Sequence, residues 1–186
     1  MIFFVLTFLF LFGGINFYTF WRARSVFQFS GLPQTIIIIA LIFMIFVPVI
    51  VRVAEACHQE FLARIIAYMG YTWMAFVFLF FFFDVSFGII VYLYKLISSG
   101  PDLSALRNIT FGGAAILAFI FVFYGFFDAQ RVRVKQLEVQ TGKHLINDGR
   151  LRIVQISDVH AGLIVREARL KRITDQVKEA KPDILV

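Results

Sequence analysis

Four long apolar stretches occupy most of the first 127 residues and constrain the fold of this chain more than any other feature. They cover Met1–Trp21, Ser25–Val51, Ile65–Phe83 and Asn108–Phe127. About 20 consecutive apolar residues in a helix are enough to cross the hydrocarbon core of a bilayer. A backbone in lipid must satisfy its own hydrogen bonds, and an α-helix does so within one segment. The sequence therefore predicts a membrane α-helical region with about four transmembrane helices.

The first stretch has the length of a secretory signal peptide but lacks its other features. No basic residue precedes the apolar run, and Trp21-Arg22-Ala23-Arg24 follows it instead of the small residues of a cleavage site. We therefore expect Met1–Trp21 to be retained as a membrane span.

The composition changes abruptly near Asp128. Residues 1–127 hold 6 of the 18 Lys and Arg residues and 4 of the 12 Asp and Glu residues. The net charges of residues 1–127 and 128–186 are therefore +2 and +4, which together give the +6 of the chain. We expect a helical transmembrane region over residues 1–127 and a polar domain over residues 128–186.

The positive charge indicates lipid as the partner of this chain. The basic residues lie at the ends of the apolar stretches and on one later helix, and no aromatic residues are interleaved with those of the polar part. Basic residues in such positions face lipid headgroups. We expect the lipid bilayer, and no nucleic acid, as a partner.

The third apolar stretch is longer than one span needs, and Asp84 interrupts it. Apolar residues continue beyond Asp84, so a helix over residues 61–96 is about 50 Å long against a hydrocarbon core of about 30 Å. In one register Ile65–Phe83 spans the bilayer and releases Asp84 at the surface. In the other, Trp73 and Tyr92 anchor the two interfaces and Asp84 lies inside the membrane. We favour the first register, because burying a carboxylate is costly.

The orientation of the spans depends on the Lys and Arg residues that flank them. Four spans place both termini on one side of the membrane. The termini's side has five basic residues and the opposite side has four, namely Arg52, Arg64, Arg131, Arg133 and Lys135 against Arg22, Arg24, Lys95 and Arg107. The positive-inside rule predicts cytoplasmic termini, by this narrow margin.

The periodicity of the polar part predicts strands and a helix. Val132–Val139 alternates as a strand does, and Leu151–Ile156 is more continuously apolar, as in a central strand. Glu167–Lys181 has an apolar stripe at helical spacing and ends before Pro182. A further strand begins at Asp183. Strand, helix and strand within about 35 residues predict a βαβ unit with parallel strands.

Asp158 and His160 directly follow the strand Leu151–Ile156. In open α/β sheets, functional groups gather where the carboxyl ends of strands meet the loops. A carboxylate and an imidazole with one residue between them can converge on a divalent metal ion if the backbone bends, which Gly162 allows. A mixed oxygen and nitrogen site suits Mn²⁺, Fe²⁺ or Zn²⁺. The triplet alone is common, and an Asp that caps or turns the loop beside a surface His is the simpler explanation of it, so the surrounding pattern decides.

The surrounding pattern resembles the start of the calcineurin-like metallophosphoesterase family. The segments that carry the resemblance are LRIVQISDVHAG and KPDILV, with an amphipathic helix between them. In the membrane-anchored bacterial branch of this family, a helical membrane region precedes the catalytic domain, and a basic segment similar to Ala129–Val134 joins the two. The resemblance covers residues 124–186 at the level of motifs and residues 1–127 only in architecture.

The resemblance implies the truncated start of an α/β metallophosphoesterase domain that hydrolyses a phosphodiester, phosphomonoester or pyrophosphate bond. Asp158 and His160 match the family's D-x-H motif and would bind the first ion of a two-metal site of Mn, Fe or Zn, which activates water and clamps the phosphate oxygens. The family's later motifs, G-D-x-x-D/N, G-N-H-D/E and the terminal histidines, have no counterpart in the 186 residues. We therefore expect an N-terminal fragment, inactive alone, of a protein of the bacterial inner or cytoplasmic membrane. Membrane anchoring is consistent with a lipid-linked phosphodiester or pyrophosphate substrate, and equally with simple tethering of the domain to the membrane.

A second interpretation is a non-enzymatic four-helix membrane module, such as a channel, assembly or sensor subunit, with a short polar tail. The family's later motifs, sought in the gene beyond Val186, discriminate the two interpretations. A further metal-ligand candidate between the second and third spans consists of Glu55, Cys57, His58 and Glu60. A polar loop at the membrane surface explains these residues more simply. Gly13-Gly14 and Gly112-Gly113 are candidates for close approach of helices.

Overall fold

The computed structural model describes residues 2–97, 103–142, 150–159 and 162–186. Its helices and strands, in chain order, are α1 (Ile2–Phe27), α2 (Leu32–Ala56), α3 (Glu60–Ile97), α4 (Leu103–Asp128), β1 (Ile153–Val154), α5 (Glu167–Ala180) and β2 (Ile184–Leu185). The chain forms two compact units, Met1–Phe126 and Phe127–Val186. The first unit is helical, and the second contains both strands.

The helices α1 to α4 confirm the predicted membrane-helix character. Each of the four is long and apolar enough to cross a membrane. All four helices end beyond the predicted stretches, and α3 and α4 also begin before theirs, because a helix continues into the flanking residues. Pro33 lies in the first turn of α2, where the backbone N–H groups make no hydrogen bond within the helix, so proline is tolerated there. Pro48 lies inside the same helix.

α3 continues through Asp84 without a break. Its 38 residues correspond to about 57 Å of helix, since each residue rises about 1.5 Å. The helix does not end near Phe83, and Asp84 is only 2% exposed because it is buried among the helices. The register of α3 relative to the membrane stays a prediction. The cost of burying the carboxylate is offset by partners on α1, which are described below with the site.

α2 and α3 pack through small residues. Ala63, Ala67 and Gly70 are buried at helical spacing along one face of α3, and Val47 of α2 is completely buried. A Cβ atom at Gly70 would lie 2.1 Å from Cγ1 and 2.7 Å from Cβ of Val47. The close contact between these helices therefore requires a glycine at position 70.

The glycine pairs that we considered for close approach lie in more open surroundings. A Cβ atom at Gly13, Gly14 or Gly112 would meet nothing within 4 Å, and one at Gly113 would lie 3.4 Å from Phe87. Only Gly113 thus contacts another helix, at ordinary van der Waals distance. Hydropathy does not distinguish a packed glycine from an open one, so the sequence did not single out Gly70.

α1 and α4 attach to α3 through polar and aromatic contacts. The indole Nε1 of Trp73 donates to the Oδ1 of buried Asn16 at 2.9 Å, which joins α3 to α1. Phe80 of α3 packs edge-on against Phe111 of α4, with ring centroids 5.2 Å apart. Phe80 belongs to the buried cluster that includes Ala114 and so fixes α4 against α3.

The second unit contains the predicted parallel βαβ arrangement. β1 and β2 pair in parallel, with Ile153 opposite Ile184 and Val154 opposite Leu185. α5 connects them and confirms the helix predicted over Glu167–Lys181. Leu170, Ile173, Val177 and Ala180 form its half-buried stripe, as their spacing indicates.

Two predicted features of the polar part are wrong. The strand over Val132–Val139 is absent, and Leu137 and Val139 are 77% and 83% exposed. Alternation alone does not make a strand, which also needs a neighbour for its backbone groups. The strand over Leu151–Ile156 is reduced to β1 and is not central, because the sheet of the described residues has two strands and Ile153 is 57% exposed. The truncated start of a phosphoesterase domain over residues 128–186 stays a prediction.

Candidate functional site

Asp158 lies in the loop that follows β1, on the exposed surface of the second unit. The backbone pairing continues past β1, since the N–H of Ile156 donates to the carbonyl oxygen of Val186 at 2.8 Å. The chain leaves the sheet after Ile156, and Asp158 is two residues further. This is the carboxyl end of a parallel strand, the position at which α/β sheets commonly place functional side chains.

The bend of this loop occurs at Asp158 itself. Its φ of 53° lies in the left-handed region, which Asp tolerates better than most residues. Gly162, which we expected to allow the bend, donates its N–H to the carbonyl oxygen of Val165 at 3.1 Å. The short polar side chain of Asp158 thus explains the turn without a ligand, and Asp158 as a residue is exposed.

His160 lies outside the described residues, so its position relative to Asp158 stays a prediction. In the part of the chain that the structure describes, no three His, Cys, Asp or Glu side chains lie close enough together to hold a metal ion. The described residues therefore supply one carboxylate of the predicted metal site. A carboxylate oxygen is a suitable donor for Mn²⁺, Fe²⁺ or Zn²⁺, but a single one does not form a site.

Asp183 of the Pro-Asp pair has a structural role. Its Oδ2 accepts a hydrogen bond from the backbone N–H of Arg152 at 2.7 Å, and its own N–H donates to the carbonyl oxygen of Arg152 at 2.8 Å. The guanidinium of Arg152 donates to the carbonyl oxygen of Ala180 at 2.7 Å, at the end of α5. These bonds fix the register of β2 beside β1 and hence the strand end from which Asp158 projects.

The candidate cluster between α2 and α3 forms a surface loop. Cys57 is exposed at the end of α2, and Glu55 lies 3.8 Å from the guanidinium of Arg52, one helical turn earlier. His58 turns the chain with a φ of 59°. These residues are explained by the turn between two helices, and they do not come together as a metal site.

A buried charged cluster in the helical unit is the most organised polar site in the described residues. Asp84 of α3 is 2% exposed and Arg22 of α1 is 8% exposed. Arg22 Nε donates to Asp84 Oδ2 at 2.5 Å, and Arg22 Nη2 donates to Asp84 Oδ1 at 2.6 Å. This is the two-point pairing of a guanidinium with a carboxylate, the strongest geometry for such a pair.

Two further residues complete this cluster. The hydroxyl of Tyr18 donates to Asp84 Oδ2 at 2.5 Å. Arg22 Nη2 also donates to Thr110 Oγ1 at 3.2 Å and approaches the carbonyl oxygen of Arg107 at 3.4 Å. Three helices, α1, α3 and α4, therefore meet at one ion pair. A charged pair among apolar helices is usually functional when it faces an internal cavity.

Sequence reasoning found one member of this cluster and missed the others. Asp84 was noticed because a carboxylate interrupts a long apolar stretch, whereas Arg22 was counted only as a flanking charge. The available signal was the spacing of Tyr18 and Arg22, which places both side chains on one face of α1. That spacing does not identify the partner, since Arg22 and Asp84 are 62 residues apart and meet only through helix packing.

Comparison of the chain with protein-family models, with curated proteins and with solved structures finds no match.

Proposed function

We propose that this chain is part of a membrane-bound, metal-dependent phosphoesterase. The observation that carries the proposal is the order of the segments in the second unit: β1, then Ser157-Asp158-Val159-His160, then α5, then β2 preceded by Pro182-Asp183. This order is similar to the start of the calcineurin-like metallophosphoesterases. The parallel pairing of β1 with β2 supports it, because that pairing places Asp158 at the carboxyl end of a strand.

Asp158 and His160 would supply the first ligands of the two-metal site. A carboxylate oxygen and an imidazole nitrogen suit Mn²⁺, Fe²⁺ or Zn²⁺. Bound metal ions would supply Lewis-acid stabilisation of the phosphate oxygens. The exposed position of Asp158 leaves its oxygens accessible to such an ion. The protein would act in a bacterial inner membrane. Its substrate would be a phosphate ester, a class that includes lipid-linked phosphates.

The test compares the 186-residue chain with a longer product of the gene that carries G-D-x-x-D/N and G-N-H-D/E motifs. The assay is the hydrolysis of a chromogenic phosphodiester with added Mn²⁺, measured against a blank that contains the metal alone. Two ligands do not enclose an ion that takes about four to six donors. The 186-residue chain should therefore bind Mn²⁺ weakly and show no turnover above the blank.

The site assignment is tested in the longer product with Asp158→Asn. This substitution removes the carboxylate charge from the first metal, so turnover should fall by orders of magnitude. Asp175→Asn is a matched control, because Asp175 is an exposed carboxylate on α5, away from the strand ends. An Asp158→Asn enzyme as fast as the parent and the Asp175→Asn control would contradict the site assignment.

A second candidate function is a non-enzymatic membrane module. The buried pair of Arg22 and Asp84 favours it, because the only ion pair of the described residues with both side chains buried lies in the helical unit. The two candidates differ in the same assay. Absence of metal-dependent turnover in a longer product of the gene would contradict the phosphoesterase and leave the membrane module as the remaining candidate.

A further inference from the structure

A cavity of about 520 Å³ opens beside the Arg22–Asp84 pair, between α1, α3 and α4. This size is within the range of about 300–1,000 Å³ that is common for small-molecule sites. Its walls are mostly apolar and include Trp21, Ile89 and Tyr92. The polar groups are concentrated at Arg22, Asp84 and Arg107, which also line the cavity. The cavity therefore has an apolar part and a charged part.

The charged part has one unused strong donor. Arg22 Nε and Nη2 are bonded to Asp84, but Arg22 Nη1 donates to no atom of the described residues. Every fully buried side-chain nitrogen or oxygen of the described residues has a partner. Nη1 is therefore not fully enclosed, and Arg22 is a lining residue of the cavity. A guanidinium whose carboxylate partner holds only two of its nitrogens presents its third to a ligand.

The charge of the cavity favours an anion. Both oxygens of Asp84 accept hydrogen bonds, so its charge is balanced by Arg22 and screened by the hydroxyl of Tyr18. Arg107, which lines the same cavity with an exposed side chain, adds a second positive charge. Arg22, Asp84 and Arg107 together have a net charge of +1. Two arginines that line one cavity are suited to the oxygens of a phosphate.

The position of the cavity along the helices favours a lipid as the source of that phosphate. Trp and Tyr side chains concentrate at the headgroup level of a bilayer, and Trp21 and Tyr92 both line the cavity. Arg24 and Lys95 lie a few residues further along the same two helices, as basic residues at a membrane surface do. The phosphate of a lipid lies at this level, and its chains can lie against the apolar wall.

We propose that this cavity binds the phosphate group of an anionic lipid. The phosphate interacts with Arg22 Nη1 and the guanidinium of Arg107, and the acyl chains lie against Trp21, Ile89 and Tyr92. The inference does not rest on the proposed phosphoesterase, because every residue of the cavity belongs to the helical unit Met1–Phe126. Lipid binding to the cavity requires no metal ion, whereas the proposed hydrolysis does. A failed lipid-binding experiment can therefore be distinguished from a failed phosphoesterase assay.

Gly88 provides a way to close the cavity without disturbing the helices. It lines the cavity on α3, and a Cβ atom at this position would meet nothing within 4 Å. Gly88→Leu should therefore fill space that a ligand would occupy. Gly125→Leu on α4 is the matched control, since its Cβ atom would also meet nothing within 4 Å and Gly125 does not line the cavity.

The experiment measures lipid binding to the delipidated 186-residue chain in a neutral detergent by native mass spectrometry. Phosphatidylglycerol is compared with diacylglycerol of the same acyl chains, which lacks the phosphate. We expect phosphatidylglycerol to bind about tenfold more tightly than diacylglycerol, the size of one charge-assisted hydrogen bond. Gly88→Leu should weaken both lipids, Arg107→Gln should remove most of the preference for phosphatidylglycerol, and Gly125→Leu should leave both affinities unchanged.

Inorganic phosphate distinguishes the two sources of the anion. If the site is a lipid site, millimolar phosphate does not displace phosphatidylglycerol, because phosphate gains nothing from the apolar wall. Displacement by phosphate alone would overturn the lipid assignment. An affinity for phosphatidylglycerol that neither Gly88→Leu nor Arg107→Gln changes would overturn the cavity as the site. Helix content and thermal unfolding of each variant, followed by circular dichroism, show whether the variant is folded.

Discussion

The environment of Asp84 differs between what the sequence favours and what the structure shows. In the sequence it is a costly charge in an apolar stretch, for which the membrane surface is the simplest position. In the structure the same carboxylate accepts bonds from Tyr18 and from two nitrogens of Arg22. Removing one member of such a pair is more harmful than removing both, because it leaves a buried charge without compensation.

This difference gives a prediction for the ion pair. Arg22→Gln should reduce the free energy of unfolding by about 3–5 kcal/mol, and the double variant Arg22→Leu with Asp84→Leu should recover most of that loss. The free energy of unfolding is measured by denaturant titration in mixed micelles, with helix content as the signal. Arg52→Gln is the control, because Arg52 is 86% exposed and lies 3.8 Å from Glu55, a geometry that contributes little. Equal losses for Arg22→Gln and Arg52→Gln would contradict the structural role of the buried pair.

The candidate functional residues were predictable only where a local sequence pattern determines their position. The position of Asp158 after a strand follows from a short apolar run that ends at Ser157, which is a local pattern. The positive φ of Asp158 could not be foreseen from Gly162, because either residue can turn the chain. The contact of Arg22 with Asp84 could not be predicted either, since it depends on how two helices pack.

At the level of elements, the long helices and the parallel pairing of β1 with β2 were predictable, whereas the strand over Val132–Val139 was not. A transmembrane helix is specified by its own composition, because all of its backbone bonds lie within one segment. A strand depends on a neighbour, and the alternating residues of Val132–Val139 have none in the described part of the chain. The pairing of β1 with β2 was predictable because a helix of suitable length and polarity connects them.

The packing of α2 on α3 gives a prediction at the same level. Gly70→Ala should destabilise the helical unit by about 1–3 kcal/mol, because the new methyl group overlaps the side chain of Val47. Gly13→Ala is the control, since its Cβ atom has free space and alanine is the better helix former. The same denaturant titration measures both variants. The double variant of Gly70→Ala with Val47→Ala should recover part of the loss, and equal stability of Gly70→Ala and Gly13→Ala would contradict the close contact.

At the level of the whole molecule, the distribution of aromatic residues changes at the same place in the chain as the distribution of charged residues. No Phe, Tyr or Trp follows Phe127. Residues 131–141 form neither helix nor strand, and Arg131, Arg133 and Lys135 are exposed. An exposed segment without secondary structure is accessible to proteases, whereas a helix in a bilayer is not.

These features predict a contrast between two proteases on the chain in liposomes. Trypsin should cut at Arg131, Arg133 or Lys135 and release the second unit. Chymotrypsin, which prefers aromatic residues, should leave α4 intact until detergent dissolves the bilayer. Mass spectrometry of the fragments identifies the cuts. Chymotryptic cleavage within residues 108–127 in intact liposomes would remove this helix from the membrane.

The structure also bears on the predicted orientation of the chain in the membrane. Arg22 is buried and paired with Asp84, so its charge is balanced within the helical unit and adds no net charge beside the span. The count of basic residues that flank the spans becomes five on the side of the termini against three on the other, Arg24, Lys95 and Arg107. The positive-inside rule therefore favours cytoplasmic termini more strongly than the sequence count does. If all four helices cross the membrane, Cys57 is a natural reporter for the termini's side, because it is exposed between α2 and α3.

An impermeant maleimide applied to intact cells should therefore leave Cys57 unlabelled and label it after permeabilisation. In the variant Cys57→Ser with Ser30→Cys, the new cysteine should be labelled from outside, because Ser30 is exposed between α1 and α2 on the opposite side. Cys57→Ser alone measures background labelling. The reverse pattern would place the termini and the Asp158 loop outside the cytoplasm. In that case the phosphate of any substrate would be one that is accessible from outside, while the proposed metal ligands would be unchanged.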